Sequence, residues 1–217
     1  MASCSRRRFL GVAAAAARGA ALGCGGEGEG VAGPPRGGRP HNLILIADDM
    51  GWGDVSFRGH KVNKTPGLDA MAAEAIRLER YYAACPVCSP TRATVLTGRH
   101  HNRCGVIDHS AYPINPEEVT IAKALAAGGY ATGHFGKWHL GRGESAPQKM
   151  GFDEALYTTN NAPKVNPSGF FENDKQVGPI QGESSQIIVD RAMKFMAEQV
   201  KSGKPFFANL WFHTPHT

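Results

Sequence analysis

Cys88 begins the segment of this sequence whose residue types are best suited to chemistry. The segment runs Cys88-Ser89-Pro90-Thr91-Arg92 and continues to Leu96-Thr97-Gly98-Arg99. A Ser-Pro pair is typical of a helix start, so the thiol is expected just ahead of a helix N-terminus, with Arg92 one turn further on. Both features favour an anion or an anionic transition state.

Two adjacent carboxylates, Asp48 and Asp49, follow directly after the apolar run 42–47. Neighbouring carboxylates repel each other, and a hard divalent cation with oxygen ligands relieves that repulsion. Taken alone, an Asp-Asp pair is more often a solvated turn, so the metal interpretation depends on what else lies nearby.

Lys137 with His139 follows a second apolar run, and His213 ends a third. In an extended segment, side chains two residues apart point the same way, so an ammonium and an imidazole could hold one anionic group together. Either residue alone would be read as a surface lysine or a structural histidine. Because the carboxyl ends of parallel strands meet at one edge of a sheet, we expect these residues to converge with Asp48 and Asp49.

The elements that must position these side chains alternate between strands and helices. Short apolar runs predict strands, and apolar residues at helical spacing predict helices with recognisable starts and stops. The expected strands are 42–47, 130–135 and 205–212, and the expected helices start at Thr65-Pro66 and cover 120–127 and 184–201. This alternation predicts an α/β fold with a mostly parallel sheet. The continuous apolar run of the first strand predicts that it is buried on both faces.

Three of these segments resemble motifs of one enzyme family. Cys-x-Pro-x-Arg at Cys88–Arg92, followed by Leu-Thr-Gly-Arg, resembles the signature of the type I, formylglycine-dependent sulfatases, with Thr91 where serine is commoner. Gly136–Gly141 is similar to the family's second signature, and 211–216 is similar to the segment that carries another sulfate-contacting histidine, matched here by His213. The resemblance covers residues 41–217 and implies an alkaline-phosphatase-like α/β sandwich.

The resemblance implies a mechanism for hydrolysing a sulfate ester of a small molecule or glycan. A maturation enzyme would convert Cys88 to formylglycine, whose hydrated aldehyde attacks sulfur with one hydroxyl and later expels sulfate with the other. Arg92 would hold the modified residue. Lys137, His139 and His213 would stabilise the negative charge on the transferring group.

The resemblance also implies a metal site. Asp48, Asp49 and the modified Cys88 would bind Ca²⁺, with Mg²⁺ also open. The family places further metal ligands and another lysine beyond the segment matched by His213, so we expect this chain to be an N-terminal portion of a sulfatase and inactive by itself. We further expect Asp48→Ala to abolish activity while leaving the fold largely intact.

Other functions stay open at this point. The runner-up enzyme is a phosphonate or phosphodiester hydrolase of the same superfamily, and a non-catalytic fragment that binds sulfated glycans is a third possibility. Cys85-x-x-Cys88 could be a redox or metal motif, although no second pair completes a zinc site. Cys85 and Cys104 are expected to be structural, and a disulfide between them is possible. His216 could line the substrate pocket or belong to a loop.

The N-terminal residues are predicted to form an export signal. Arg6-Arg7 followed by an apolar run too short to span a bilayer is typical of a twin-arginine signal peptide over residues 1–23. Cys24 ends a possible lipoprotein cleavage box, residues 24–40 are expected to form a flexible linker, and residues 41–217 are expected to form the N-terminal portion of the sulfatase catalytic domain. The twin-arginine machinery would then deliver the protein to the periplasm or beyond, attached to a membrane only through a lipid at Cys24. A disordered tail is the alternative.

The formal charge of +5 does not indicate a nucleic-acid partner. Four arginines lie before Cys24, where there is no acidic residue, and the remaining chain carries 20 basic against 19 acidic residues. A nearly neutral body without a clustered basic face gives no electrostatic footprint for a polyanion.

Overall fold

The computed structural model describes residues 38–110 and 113–216. Their centre is one six-stranded sheet in the order β1-β6-β2-β3-β4-β5. The strands are β1 (Asn42–Asp48), β2 (Ala131–Lys137), β3 (Glu154–Thr158), β4 (Phe170–Glu172), β5 (Lys175–Gln176) and β6 (Phe206–Pro215). β6 pairs in parallel with β1 and β2, β2 pairs in parallel with β3, and β4 and β5 continue antiparallel. The predicted mostly parallel sheet is confirmed.

Four α-helices accompany the sheet in the described residues. They are α1 (Pro66–Glu74), α2 (Cys88–Thr97), α3 (Ile121–Ala127) and α4 (Ser184–Ser202). Thr120 caps α3 by accepting a hydrogen bond from the Lys123 N–H, and Glu183 caps α4 by accepting one from the Gln186 N–H. No described helix is long and apolar enough to cross a membrane.

The sheet separates two apolar cores, and β2 faces both of them. All seven residues of β2 are buried. Trp138 and Phe152 belong to the core on one face, whereas Phe135 and Phe195 belong to the core on the other. A central parallel strand covered on both faces in this way fixes its carboxyl end, where Lys137 lies, with little freedom.

The expectation that β1 is buried on both faces is wrong. β1 is the edge strand of the described sheet, and Leu43 and Leu45 are 48% and 47% exposed. α1 begins with Pro66 as predicted, but none of its residues is buried, and Ile76, just beyond its end, is 91% exposed. An apolar segment of sequence indicates a surface that can be buried, but it does not indicate which other segment buries it.

Strands β3, β4 and β5 lie between the segments that the sequence assigned to elements. β4 and β5 have only three and two residues, which is too short for an alternation of apolar and polar residues to be recognised. β3 has a decisive role because Thr158, at its end, pairs in register with Lys137 of β2. In the same way Asp48 of β1 is in register with Pro215 of β6, so four strand ends meet at one edge.

Gly136 lets the backbones of β2 and β6 approach each other just before that edge. Its φ is 111°, and a Cβ built on it would lie 1.9 Å from the carbonyl oxygen of Trp211. An L side chain is therefore excluded by both the torsion and the space.

We expect Gly136→Ala to lower the free energy of unfolding by more than about 3 kcal/mol, since backbone must move to admit the methyl group. Urea unfolding followed by circular dichroism measures this. Gly143→Ala is the matched control, because Gly143 also has positive φ but nothing lies within 4 Å of its Cβ position, and it should cost only about 1 kcal/mol. Equal losses in the two variants would contradict the steric argument.

Candidate active site

Asp48 forms the centre of a buried ion cluster at the carboxyl edge of the sheet. Its two carboxylate oxygens lie 2.7 Å from Lys137 Nζ and 3.1 Å from Arg92 Nη2. Lys137 is fully buried and Arg92 is 2% exposed. Burial alone would raise the pKa of Asp48, but the hydrogen bond from Lys137 and the positive charges of Arg92 and Lys137 outweigh burial and hold the pKa below its usual value. The carboxylate is therefore ionised at neutral pH.

Arg92 extends from the second turn of α2 and is fixed on three sides. Besides the contact to Asp48, its Nη1 donates to the Lys137 carbonyl at 3.0 Å, and its guanidinium carbon lies 4.8 Å from the centre of the Trp211 ring. Burial lowers the pKa of Arg92, whereas Asp48 raises it. Trp211 is a site residue that the sequence motifs did not identify, although it lies in the segment whose histidine they did.

Cys88 is the first residue of α2, one position further into the helix than expected. Its Sγ lies 3.2 Å from Nδ1 of His139. Ser89, the next residue, is buried. The thiol is thus at a helix N-terminus with Arg92 one turn away, as the sequence predicted, and the imidazole beside it is an additional neighbour that the structure reveals.

His139 reaches this site by a different route from the one expected. β2 ends at Lys137, Trp138 donates its backbone N–H to the Thr158 carbonyl, and His139 has a φ of 56°. The backbone is therefore left-handed at His139, and the extended geometry assumed for the pair is wrong. Lys137 faces Asp48 while His139 faces Cys88, so the two side chains approach the site from different directions. Non-glycine residues in this conformation are uncommon and often occur at functional sites.

His213 is fully buried on β6 and is held by β3. Its Nε2 lies 2.7 Å from the Thr158 hydroxyl, while its Nδ1 has no hydrogen-bond partner among the described residues. Burial, followed by the charge of Lys164, lowers the pKa of His213 to about 4. Burial, followed by the charge of Lys137, likewise lowers the pKa of His139 to about 4. Both imidazoles are neutral at pH 7, and Thr158 and Lys164 are neighbours that sequence reasoning missed.

Asp49 and His216 lie on the solvent side of the cluster. The Asp49 side chain is 65% exposed, its φ is 61°, and one of its oxygens lies 3.4 Å from His216 Nε2. His216 also donates its backbone N–H to the Asp48 carbonyl at 2.9 Å and approaches Asn161. The structure therefore places His216 beside the carboxylate pair.

The side chains at this site offer the oxygen ligands that a hard divalent cation prefers, but the described residues provide too few of them to complete its coordination. Asp48 and Asp49 line one cavity of about 280 Å³ together with Cys88, and carboxylate oxygens are the ligands that Ca²⁺ and Mg²⁺ prefer. No group of three or more His, Cys, Asp or Glu side chains within residues 38–110 and 113–216 is arranged to hold a metal. A cation bound here would take its remaining ligands from an oxygen at position 88, from water or substrate, or from residues beyond these ranges. The metal role of Asp48, Asp49 and Cys88 stays a prediction.

The other two cysteines of the described region do not pair. Cys85, Cys88 and Cys104 are all free thiols, so the possible Cys85–Cys104 disulfide is absent. Cys104 is buried and lies 3.3 Å from the Thr97 hydroxyl, which agrees with a structural role.

Comparison with known proteins agrees with this geometry. Residues 40–217 match the model of the family described as Sulfatase. The chain belongs to the sulfatase family. It is 36% identical over 210 residues to N-acetylgalactosamine-6-sulfatase of Sus scrofa, which covers 83% of this chain and 40% of that enzyme. It is 43% identical over 130 residues to human arylsulfatase G, or 57% of this chain and 24% of that enzyme.

A solved structure also supports the fold. The structure of BT4656 in complex with its substrate D-glucosamine-2-N,6-O-disulfate superposes with a TM-score of 0.74 and 30% identity, covering 82% of this chain and 35% of that one. The fold is therefore the alkaline-phosphatase-like α/β fold that the sequence predicted. This sulfatase chain spans less than half the length of each of these relatives.

The predicted export signal, the lipidation site at Cys24 and almost all of the predicted linker lie outside the described residues. These N-terminal features remain predictions.

Proposed function

We propose that the protein hydrolyses sulfate esters with a formylglycine made from Cys88. The observation that carries the proposal is the meeting of Cys88, Arg92, Lys137 and His139 around the Asp48 carboxylate, in a chain of the sulfatase family. Cys88 and Arg92 come from α2, Asp48 and Lys137 from the ends of two strands, and His139 from the turn after β2, so their convergence is a property of the fold. Membership in the family supports sulfate ester chemistry in particular.

The cations and imidazoles are arranged to receive a sulfuryl group. Arg92 and Lys137 place two fixed positive charges in a buried site, where charge interactions are stronger than in water. Asp48 compensates them in part and holds both in position. His139 and His213 are neutral at pH 7, so each offers an N–H donor without adding to the charge, and the unpartnered Nδ1 of His213 is available for such a contact.

A formylglycine at residue 88 would supply the nucleophilic oxygen, and a divalent cation held by Asp48 and Asp49 would polarise the sulfuryl oxygens. His139 Nδ1 lies beside the side chain of residue 88 and can accept or return a proton there. Arg92 orients residue 88 through the first turns of α2. These roles remain part of the proposal.

The substrate class that we propose is a sulfated sugar or a related sulfated small molecule. The support is that BT4656 was solved with a sulfated glucosamine described as its substrate and that N-acetylgalactosamine-6-sulfatase is a relative. A maturation enzyme that oxidises Cys88 is the protein partner that this function requires.

The proposed function predicts that Cys88 in full-length protein from its native host is largely converted to an aldehyde. A mass spectrum of a peptide spanning residues 83–92 should show a species that reacts with a hydrazide. The same preparation should release sulfate from an aryl sulfate much faster than it releases phosphonate from the matching aryl phosphonate monoester. An unmodified thiol in active protein, or a preference for the phosphonate, would contradict the proposal.

We also propose export by the twin-arginine route to the periplasm or the cell exterior, supported by Arg6-Arg7 and the apolar run that follows them. A reporter fused to residues 1–40 should leave the cytoplasm, and Arg6→Lys with Arg7→Lys should retain it there. Cell fractionation measures the distribution. Export that is insensitive to the double substitution would argue for another route.

A further inference from the structure

A second cavity lies next to the Cys88 site and is distinct from the one that Asp48 and Asp49 line. It has a volume of about 410 Å³, within the range of about 300–1,000 Å³ typical of small-molecule sites. Its lining includes Ser89, which follows Cys88, and His139, whose ring contacts the Cys88 thiol, together with Arg142 and Asn160. The cavity is therefore placed to hold the part of a substrate that carries the sulfate ester.

Arg142 packs against an aromatic ring at this cavity. Its guanidinium carbon lies 4.2 Å from the centre of the Phe171 ring. It also lies close to the Tyr157 hydroxyl, whose pKa is raised by burial and by Asp174 while the charge of Arg142 acts in the opposite direction. Phe171 and Tyr157 are 6% and 0% exposed, so the arginine rests on a rigid aromatic surface.

The Tyr157 hydroxyl hydrogen-bonds with Arg142 and so occupies only part of the guanidinium edge. The five N–H donors of arginine lie in the plane of the group and match the two oxygens of a carboxylate or sulfate. No carboxylate within residues 38–110 and 113–216 forms an ion pair with Arg142, so no acidic side chain there neutralises its charge.

The two cavities near Cys88 differ in charge. The first is lined by Asp48, Asp49 and Arg92, and Arg92 is paired with Asp48, whereas the second is lined by Arg142 and by no acidic residue. A second negative group on a substrate would therefore be attracted to the second cavity.

We propose that Arg142 selects substrates that carry a second anionic group, a carboxylate or another sulfate, beside the sulfate ester that is cleaved. This inference rests on the proposed function, since it takes the cavity at His139 and Ser89 as the substrate side of the site. It adds a specificity-determining residue outside the sulfatase motifs. An exposed arginine that stacks on an aromatic ring for stability alone is the alternative.

The test measures binding separately from turnover. Full-length protein carrying Cys88→Ala, which cannot form the aldehyde, is titrated calorimetrically with a panel of hexosamine monosulfates and the matching disulfates. For the best-bound pair, the disulfate should bind about 10- to 100-fold more tightly than its monosulfated parent, as expected for a charge-assisted hydrogen bond. Adding Arg142→Gln should bring that ratio close to one.

Lys149→Gln is the matched control, because Lys149 is also an exposed cation near this turn but does not line the cavity. It should keep the ratio found without it. A ratio that Arg142→Gln leaves unchanged, or equal affinity for mono- and disulfates without the substitution, would overturn the inference while leaving the proposed function intact. Failure of every sulfated sugar to bind, together with no turnover of an aryl sulfate by matured protein, would instead contradict the proposed function and the subsite with it.

Discussion

Replacing Cys88 with alanine is expected to lower kcat/KM for an aryl sulfate by roughly 10⁴-fold or more, because the proposed covalent route needs a formylglycine at residue 88. Stability should change little. Cys88 is only half-buried, and the backbone contacts of α2 do not involve its side chain. The measurement combines steady-state kinetics of full-length, matured protein with urea unfolding of the same sample.

Cys85→Ala is the control for this prediction. Cys85 lines the same acidic cavity as Cys88, and its contact with the Thr91 hydroxyl uses its backbone carbonyl, which alanine keeps. The control should retain activity within a few-fold. Equal losses from the two substitutions would mean that the cavity needs thiols for another reason, and retained activity in Cys88→Ala would exclude the proposed nucleophile.

Asp48→Asn is expected to reduce both activity and stability, which differs from the sequence-based expectation that the fold would be largely unaffected. The carboxylate compensates two cations, Lys137 and Arg92, that are 0% and 2% exposed. Removing one partner of a buried charge cluster costs about 3–5 kcal/mol, because the remaining charges stay buried without compensation. Urea unfolding at neutral pH should show a loss of this size.

A double-mutant cycle distinguishes this cause from a general packing defect. Lys137→Met alone should also destabilise, and Asp48→Asn with Lys137→Met should cost less than the sum of the two by about 2 kcal/mol or more. Lys149→Gln, which removes an exposed partner of Glu144 at 3.9 Å, should change stability by less than about 1 kcal/mol. Additive losses at Asp48 and Lys137 would show that the ion pair does not couple them.

The buried cluster also explains why activity and stability should be linked at this site. Arg92 and Lys137 are held in low-dielectric surroundings where they can act strongly on a sulfuryl group, and the same burial makes them costly without Asp48. A divalent cation would add positive charge beside the carboxylates. Full-length protein should therefore gain thermal stability from a cation that binds at Asp48 and Asp49, and above Kd the gain should rise with the logarithm of the cation concentration.

Much of the fold could be predicted from the sequence. The three apolar runs became β1, β2 and β6, and the helices at Pro66, Thr120 and Ser184 begin within a residue or so of the expected positions. These elements have strong local signals, namely apolar periodicity, caps and proline at a first turn. β4 and β5 have only three and two residues, too few to show periodicity, and their one local signal is the two-residue turn Asn173-Asp174, which has positive φ at both residues.

The sequence by itself determined which residue types were available for chemistry: a cysteine at the start of a helix, a carboxylate pair after a strand, and lysine and histidine after two others. It also determined that the carboxyl ends of those strands would lie on one edge, because alternating strands and helices form a parallel sheet. Only the tertiary structure decided that Asp48 pairs with both Arg92 and Lys137, that His139 turns to Cys88 through a left-handed residue, and that Thr158 holds His213. It also placed Arg142 on Phe171, beside the second cavity. These contacts join residues between 29 and 89 positions apart, and they depend on strand register and burial, which no local pattern of residues encodes.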